Sequence, residues 1–214
     1  MKYFPKHTFV FTTTWLLFLC AGLVFTFLYP KGEENILLNG LHTPFLDTFF
    51  YLATFIGDGL FCVFMVILFL FFSYKKAIWL ALSFLSSAII TQALKSIFNA
   101  PRPKLFLPDF NLLHQVTAVT IHTSRSFPSG HATSAFALAF CLSYFAKTNI
   151  VGLFFCLIGV VAAASRIYLL QHFLIDVLLG SVIGVVVSFL VCTLLNNSAL
   201  HKKSWINHSL LIRK

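Results

Sequence analysis

Long apolar stretches, each near the roughly twenty residues that a helix needs to cross a bilayer, constrain this chain more than any other feature. Hydrocarbon offers backbone N–H and C=O groups no partner, so a single segment entering it must satisfy them internally, as a helix. Six such stretches are read, near residues 8–29, 58–74, 77–98, 129–146, 149–167 and 172–195. Of the 214 residues 59% are hydrophobic and only 10% charged, against about 25% charged in a soluble domain. The expected fold is all-α: a polytopic membrane protein, six transmembrane helices in one bundle, forming a single domain over 1–214. The first run is too long for the apolar region of a signal peptide and lacks a small-residue cleavage site, so it is expected to be a retained span. Residues 30–57 carry Ile36, Leu37, Leu38, Phe45, Phe49 and Phe50 at amphipathic spacing, and are expected to lie along the membrane surface. All five cysteines fall inside apolar runs without paired spacing, as small packing residues do. The chain shows no internal repeat and no low-complexity linker, and nothing in it sets an oligomeric state.

Basic residues set the expected orientation. With the N-terminus inside, Lys2, Lys6, Lys75, Lys76, Lys147, Lys202, Lys203, Arg213 and Lys214 are cytoplasmic, while Lys31, Lys95, Arg102, Lys104, Arg125 and Arg166 are outside. Nine against six is the bias of a positive-inside topology. All six acids, Glu33, Glu34, Asp47, Asp58, Asp109 and Asp176, then fall outside. The net charge of +9 is thereby an inner-surface signal, compatible with anionic lipid headgroups, and no nucleic acid need be invoked. The prediction is a cytoplasmic (inner) cell membrane protein with both termini cytoplasmic and an extracytoplasmic active site. Spans three to six would bring Lys95, His131, Arg166 and His172 to one depth on that side.

Three stretches carry chemistry. The first is SRIYLLQHFLID, 165–176. On a helix His172 and Asp176, four apart, share a face. A carboxylate there can fix the tautomer of the imidazole and leave its other nitrogen free, as a general base or nucleophile needs. Arg166, six residues earlier and beyond the reach of the same turn, offers a fork suited to a phosphoryl group. A salt bridge between helices would also place an Asp in such a run. The second stretch, KSIFNAPRP at 95–103, sets Lys95 about one turn before Pro101, which should end the third span, and Arg102 just after it. Two basic residues snorkelling at a helix end would look the same. The third is FPSGH at 127–131. Ser129 is a good N-cap, Gly130 admits a ligand close to the backbone, and first-turn amides bind anions. His131 is placed to donate a proton to a leaving oxygen. A capped helix with an interfacial histidine is the plainer reading.

Together these stretches resemble the type 2 phosphatidic acid phosphatase superfamily, whose signature runs K-x6-RP, PSGH, SR-x5-H-x3-D. Lys95 to Pro103, Pro128 to His131 and Ser165 to Asp176 match in order and spacing, within a catalytic core of about 90–190. The resemblance implies a six-span helical fold and hydrolysis of a lipid phosphate through a phosphohistidine, without metal or other cofactor. It makes His172 the nucleophile, Asp176 its orienting partner and His131 the general acid, with Lys95, Arg102, Ser129, Gly130 and Arg166 holding the phosphate. Phosphoryl transfer needs mainly positioning and charge neutralisation, and the acids here are too few and scattered to build a metal site.

The expected partner is a membrane lipid phosphate in the bilayer. Undecaprenyl diphosphate or a lipid A phosphate is favoured, with phosphatidic acid or phosphatidylglycerophosphate also fitting; the compact length suits a bacterial envelope enzyme. A lipid phosphotransferase with the same site, or a catalytically silent lipid-binding or transport protein, are the alternatives. Within the loop 99–127, Arg125 is the candidate for an extra headgroup contact. Finally, small or polar residues recur at every fourth position: Ser83, Ser87, Thr91 and Lys95; His131, Ala135, Ala139 and Ser143; His172, Asp176, Gly180, Gly184 and Ser188. Such faces allow close helix approach, so these three spans are expected to form a tight inner bundle with phenylalanine-rich faces towards lipid.

Overall fold

The computed structural model of the protein describes residues 8–146 and 148–211. Lys2, Lys6, Lys147, Arg213 and Lys214, used above for orientation, lie outside them. Nine α-helices follow one another in these residues: α1 Phe9–Leu28, α2 Glu33–Asn39, α3 Pro44–Ala53, α4 Gly59–Phe72, α5 Tyr74–Phe98, α6 Pro103–Phe106, α7 Gly130–Phe145, α8 Asn149–Tyr168 and α9 Leu174–Asn197. There is no strand among the described residues.

Four helices, α1, α5, α8 and α9, are each long and apolar enough to cross a membrane. Neither α3 nor α4 qualifies alone. The two, joined by a 3₁₀ turn at Thr54–Gly57 and bent by 58°, qualify as a pair, which brings the candidates to five. This departs from the expectation of an interfacial stretch followed by a separate second span. The expected fourth span, α7, has 16 residues, about 24 Å at 1.5 Å per residue, short of the roughly 30 Å hydrocarbon core.

What α7 lacks in length it makes up in burial: eleven of its 16 residues are buried, against three of 20 in α1. It lies between α5, α8 and α9. The predicted small-residue faces make these contacts. Ser83, Ser87 and Thr91 of α5, Ala135, Ala139 and Ser143 of α7, and Ser188 of α9 are all buried. A Cβ on Gly180 would come within 2.5 Å of the Ser129 carbonyl oxygen, and one on Gly184 within 2.5 Å of that of Thr133. α9 therefore rests on the backbone of α7. Large apolar side chains such as Phe27, Phe64, Phe72 and Phe154 point outwards.

The stretch from α2 to α3 reverses the orientation its composition suggests. Ile36 and Leu37 are exposed, while Glu34, Asn35 and Asn39 are buried. The reason is the turn between α8 and α9, whose backbone groups need partners. Asn35 Nδ2 donates to the carbonyls of Ile167 and His172, at 3.0 and 3.1 Å, and the Leu174 amide donates to Glu34 Oε1 at 2.9 Å.

Candidate active site

Helix ends meet at one side of the inner bundle and enclose a cavity of about 320 Å³. α5 ends there at Asn99, which takes the left-handed φ of 37° that stops a helix before Pro101. α7 begins there, with Ser129 Oγ accepting from the Ala132 amide at 3.3 Å. α8 ends with Arg166 in its last turn, and α9 starts at Leu174. Lys95, Arg102, Gly130, His131, Arg166 and His172 all line this cavity.

His172 is not on a helix with Asp176. It precedes Phe173, the N-cap of α9, and Asp176 stands at the third position, its Oδ2 accepting from the Phe173 amide at 3.0 Å. The same oxygen lies 3.3 Å from His172 Nδ1, so the carboxylate that caps the helix also meets the imidazole. Both side chains are almost fully buried. Nδ1 is thus turned to the protein, and Nε2 is the nitrogen left for the cavity. Burial, then the guanidinium groups of Arg102 and Arg166 and the ammonium of Lys95, hold His172 well below the usual histidine range. A neutral ring with a free lone pair is the form a nucleophile requires.

Ser126 completes this cluster and went unseen in the sequence. Buried fully, it donates its hydroxyl to Asp176 Oδ2 and lies 3.5 Å from His172 Nδ1. A serine three residues before the PSGH histidine's own N-cap carries no signal until the loop path is known. Gln171 was legible in principle, as an amide inside an apolar run. Arg102 Nη1 donates to its carbonyl and to its Oε1, each at 3.1 Å, while Nε donates to the Ser124 carbonyl at 2.9 Å. Arg166 is fixed from the far side, Nη1 donating to Thr54 in the bend between α3 and α4. Its Nε has no hydrogen-bond partner among the described residues. At the same bend a Cβ on Gly57 would sit 2.5 Å from the His131 carbonyl oxygen.

Two residues expected to contact substrate, Ser129 at the phosphate and Arg125 at the headgroup, do not line the main cavity. Ser129 is wholly buried, its hydroxyl engaged as the cap and its amide donating to the Asp176 carbonyl at 2.9 Å. It positions the helix start, leaving the first-turn amides of Gly130 and His131 at the cavity. Arg125 is exposed and lines an adjoining cavity. No carboxylate lines the main cavity, which holds three cationic side chains. Among the described residues no three His, Cys, Asp or Glu side chains are gathered as a metal site would need. The arrangement can bind a compact dianion between fixed cations and helix-start amides, with a neutral imidazole beside it.

Similarity to known proteins agrees with this chemistry. The chain is 31% identical over 170 residues to the lipid A 4'-phosphatase of Porphyromonas gingivalis, covering 74% of this chain and 71% of that protein. It is 24% identical over 119 residues to the undecaprenyl-diphosphatase BcrC of Bacillus subtilis, 55% of this chain and 57% of that protein. Among solved structures, LpxE of Aquifex aeolicus superposes with a TM-score of 0.70 at 28% identity, over 77% of this chain and 96% of that one. A PAP2-type phosphatidylglycerolphosphate phosphatase of Bacillus subtilis shares the fold, with a TM-score of 0.65 at 23% identity over 86% and 94%. Residues 76–199 match the family model described as PAP2 superfamily. With more than half of its length in that match and its apolar helices around the site, the chain belongs to the PAP2 superfamily and is an integral-membrane phosphatase.

Proposed function

We propose that the protein hydrolyses a phosphate ester or diphosphate of a membrane lipid, through a phosphohistidine on His172, at the extracytoplasmic face. The observation that carries this reading is the meeting of His172, His131, Lys95, Arg102 and Arg166 in one cavity, with Asp176 and Ser126 behind His172. Nε2 of His172 attacks phosphorus in line. The three cations and the amides of Gly130 and His131 take the charge of the equatorial oxygens. His131 protonates the departing oxygen, then accepts a proton from the water that cleaves the phosphohistidine. Asp176 holds the His172 tautomer and stabilises the ring as it becomes positively charged. Ser129 acts through the helix start that it caps.

In the membrane, α1, the bent α3–α4 pair, α5, α7, α8 and α9 make six crossings, α7 crossing within the bundle. The lipid phosphates named for the relatives, a lipid A phosphate and undecaprenyl diphosphate, set the substrate range. The test is phosphate release by the purified protein in detergent from a panel of lipid mono- and diphosphates, with chelator present, and trapping of an acid-labile phosphoenzyme. Release blocked by vanadate is expected. No release from any lipid, or release only with added divalent metal, overturns the reading.

A further inference from the structure

Beside the catalytic cavity lies a second one of about 360 Å³, lined by Gln92, Lys95, Arg102, Ile121 and the 122–125 segment. It shares Gln92, Lys95, Arg102 and His122 with the first, but contains neither His131 nor His172. A group lodged there is therefore bound and not attacked. The members it adds are Ile121, Thr123, Ser124 and Arg125, of which only Ile121 is apolar. No carboxylate lines either cavity.

The second cavity is built as one unit with Arg102. The Arg102 amide donates to the Thr123 carbonyl at 2.9 Å, its Nε to the Ser124 carbonyl at 2.9 Å, and the Ser126 amide to the Ala100 carbonyl at 2.9 Å. Between those ties Arg125 is held at a φ of 56°, a conformation an arginine seldom takes and that persists only where its surroundings impose it. The segment is clamped so that Arg125 and His122 stand over the same space as Lys95 and Arg102.

We infer that His122 and Arg125, with the outer faces of Lys95 and Arg102, form a second anion subsite that receives the phosphoryl group adjacent to the one transferred, so that the preferred substrate is a lipid diphosphate. Sharing of Lys95 and Arg102 sets the spacing. Two groups that touch the same two side-chain heads are neighbours, as the two phosphoryls joined by one bridging oxygen are, and as phosphates on separate sugars are not. The inference rests on the hydrolytic reading above and narrows it. In the step, Nε2 of His172 bonds to the terminal phosphorus as that phosphorus loses its bridging oxygen. The electron pair stays on the bridging oxygen, which departs on the second phosphoryl, and negative charge builds there until His131 delivers its proton. That charge grows in the second subsite, where preorganised cations are most useful. His122 is held below the usual histidine range by partial desolvation and by Arg102, Arg166 and Lys95; an anion between them offsets that repulsion.

The test compares farnesyl diphosphate with farnesyl monophosphate, two probes with one chain, as substrates of the purified protein in detergent. In the double variant His122→Gln, Arg125→Asn, the ratio of kcat/KM for diphosphate over monophosphate is expected to fall roughly tenfold, a modest loss because both side chains are exposed to screening water. Asn tolerates the left-handed backbone at 125, and monophosphate turnover reports that the variant is folded. Arg125→Lys in the His122 background should keep most of the ratio. Equal losses on both substrates, or an unchanged ratio, overturn the subsite. Should the ratio stay unchanged while inhibition by inorganic phosphate weakens, the cavity holds free product phosphate, which also overturns it. Wild type releasing phosphate from the monophosphate but not the diphosphate refutes this inference alone, whereas release from neither, nor from any lipid phosphate, refutes the hydrolytic reading with it.

Discussion

Where α9 crosses α7, Gly180 and Gly184 lie against backbone oxygens, and no larger residue fits. Where the 99–127 segment meets the rest of the molecule, single side chains do the holding. Asn39 donates to the His114 carbonyl at 2.8 Å and accepts its amide at 3.0 Å; Asp47 meets His114 Nε2 at 2.8 Å and the Tyr168 hydroxyl at 2.6 Å. The cavity thus has one wall made by continuous helix packing and another made by a segment pinned at points. The packed wall supplies His131, Arg166 and His172; the pinned one supplies Arg102, His122 and Arg125, with Ser126 behind His172. On the function proposed above, both histidines and one of the three cations stand on the packed wall, while the pinned one adds Arg102 and the groups that would tune or select.

The largest effects should come from the packed wall. His172→Ala should abolish both turnover and trapped phosphoenzyme, because no other group in the cavity is placed to attack. Asp176→Asn should keep the fold and lose roughly 10⁴-fold in kcat, since the amide admits the wrong His172 tautomer. A phosphoenzyme surviving in His172→Ala would break the comparison outright.

Gly184→Ala puts a methyl group 2.5 Å from the Thr133 oxygen and 2.9 Å from the Ala137 nitrogen, both backbone atoms that cannot move alone. Overpacking of this kind costs about 1–3 kcal/mol, and should show as a lowered melting temperature in detergent. A melting temperature equal to wild type would mean that the helices separate freely, and that the packed wall is less rigid than its contacts imply.

Ser126→Ala tests whether the pinned wall contributes to catalysis. Losing one donor to Asp176 should lower kcat about fivefold with KM little changed, from the roughly 1 kcal/mol that such a bond contributes. A change in KM with kcat intact would make Ser126 a binding residue. The smallest effect belongs to Asn39→Ala. Amide exchange should quicken in 99–127, by local opening, while the melting temperature of the bundle barely moves. Equal quickening in α7 and α9 would show that the two walls are one cooperative unit.

How much of this was legible in the sequence follows the same division. The signature residues on helix ends are placed by helix geometry and by proline and serine stop and start signals, which can be read locally. His172 was set on the wrong side of a helix start, because Asp176 one turn later looks the same whether it caps a helix or sits within one. Ser126, His122 and Thr54 act through the path of a loop or a bend, for which local sequence holds no rule. The inversion of α2 has a different origin. In a membrane protein, exposed apolar side chains are at home in hydrocarbon, and the buried face is free to be the polar one that Glu34, Asn35 and Asn39 provide. The short span of α7 has the same origin, since a helix walled in by protein need not match the bilayer.

That walled-in position of α7 also governs how the molecule comes into being. Thr133 on its inner face bonds Thr91 of α5 at 3.1 Å, and Ser134 and Ser143 are buried beside it. Released alone into lipid, the amides of the open first turn would lack partners, so α7 is seated only as its neighbours close around it. His131 arrives on α7 and His172 on the turn before α9, and neither reaches the other until that closure. On the function proposed above, a half-assembled chain would be inert towards the lipids around it, and the appearance of activity would mark the seating of the last helix.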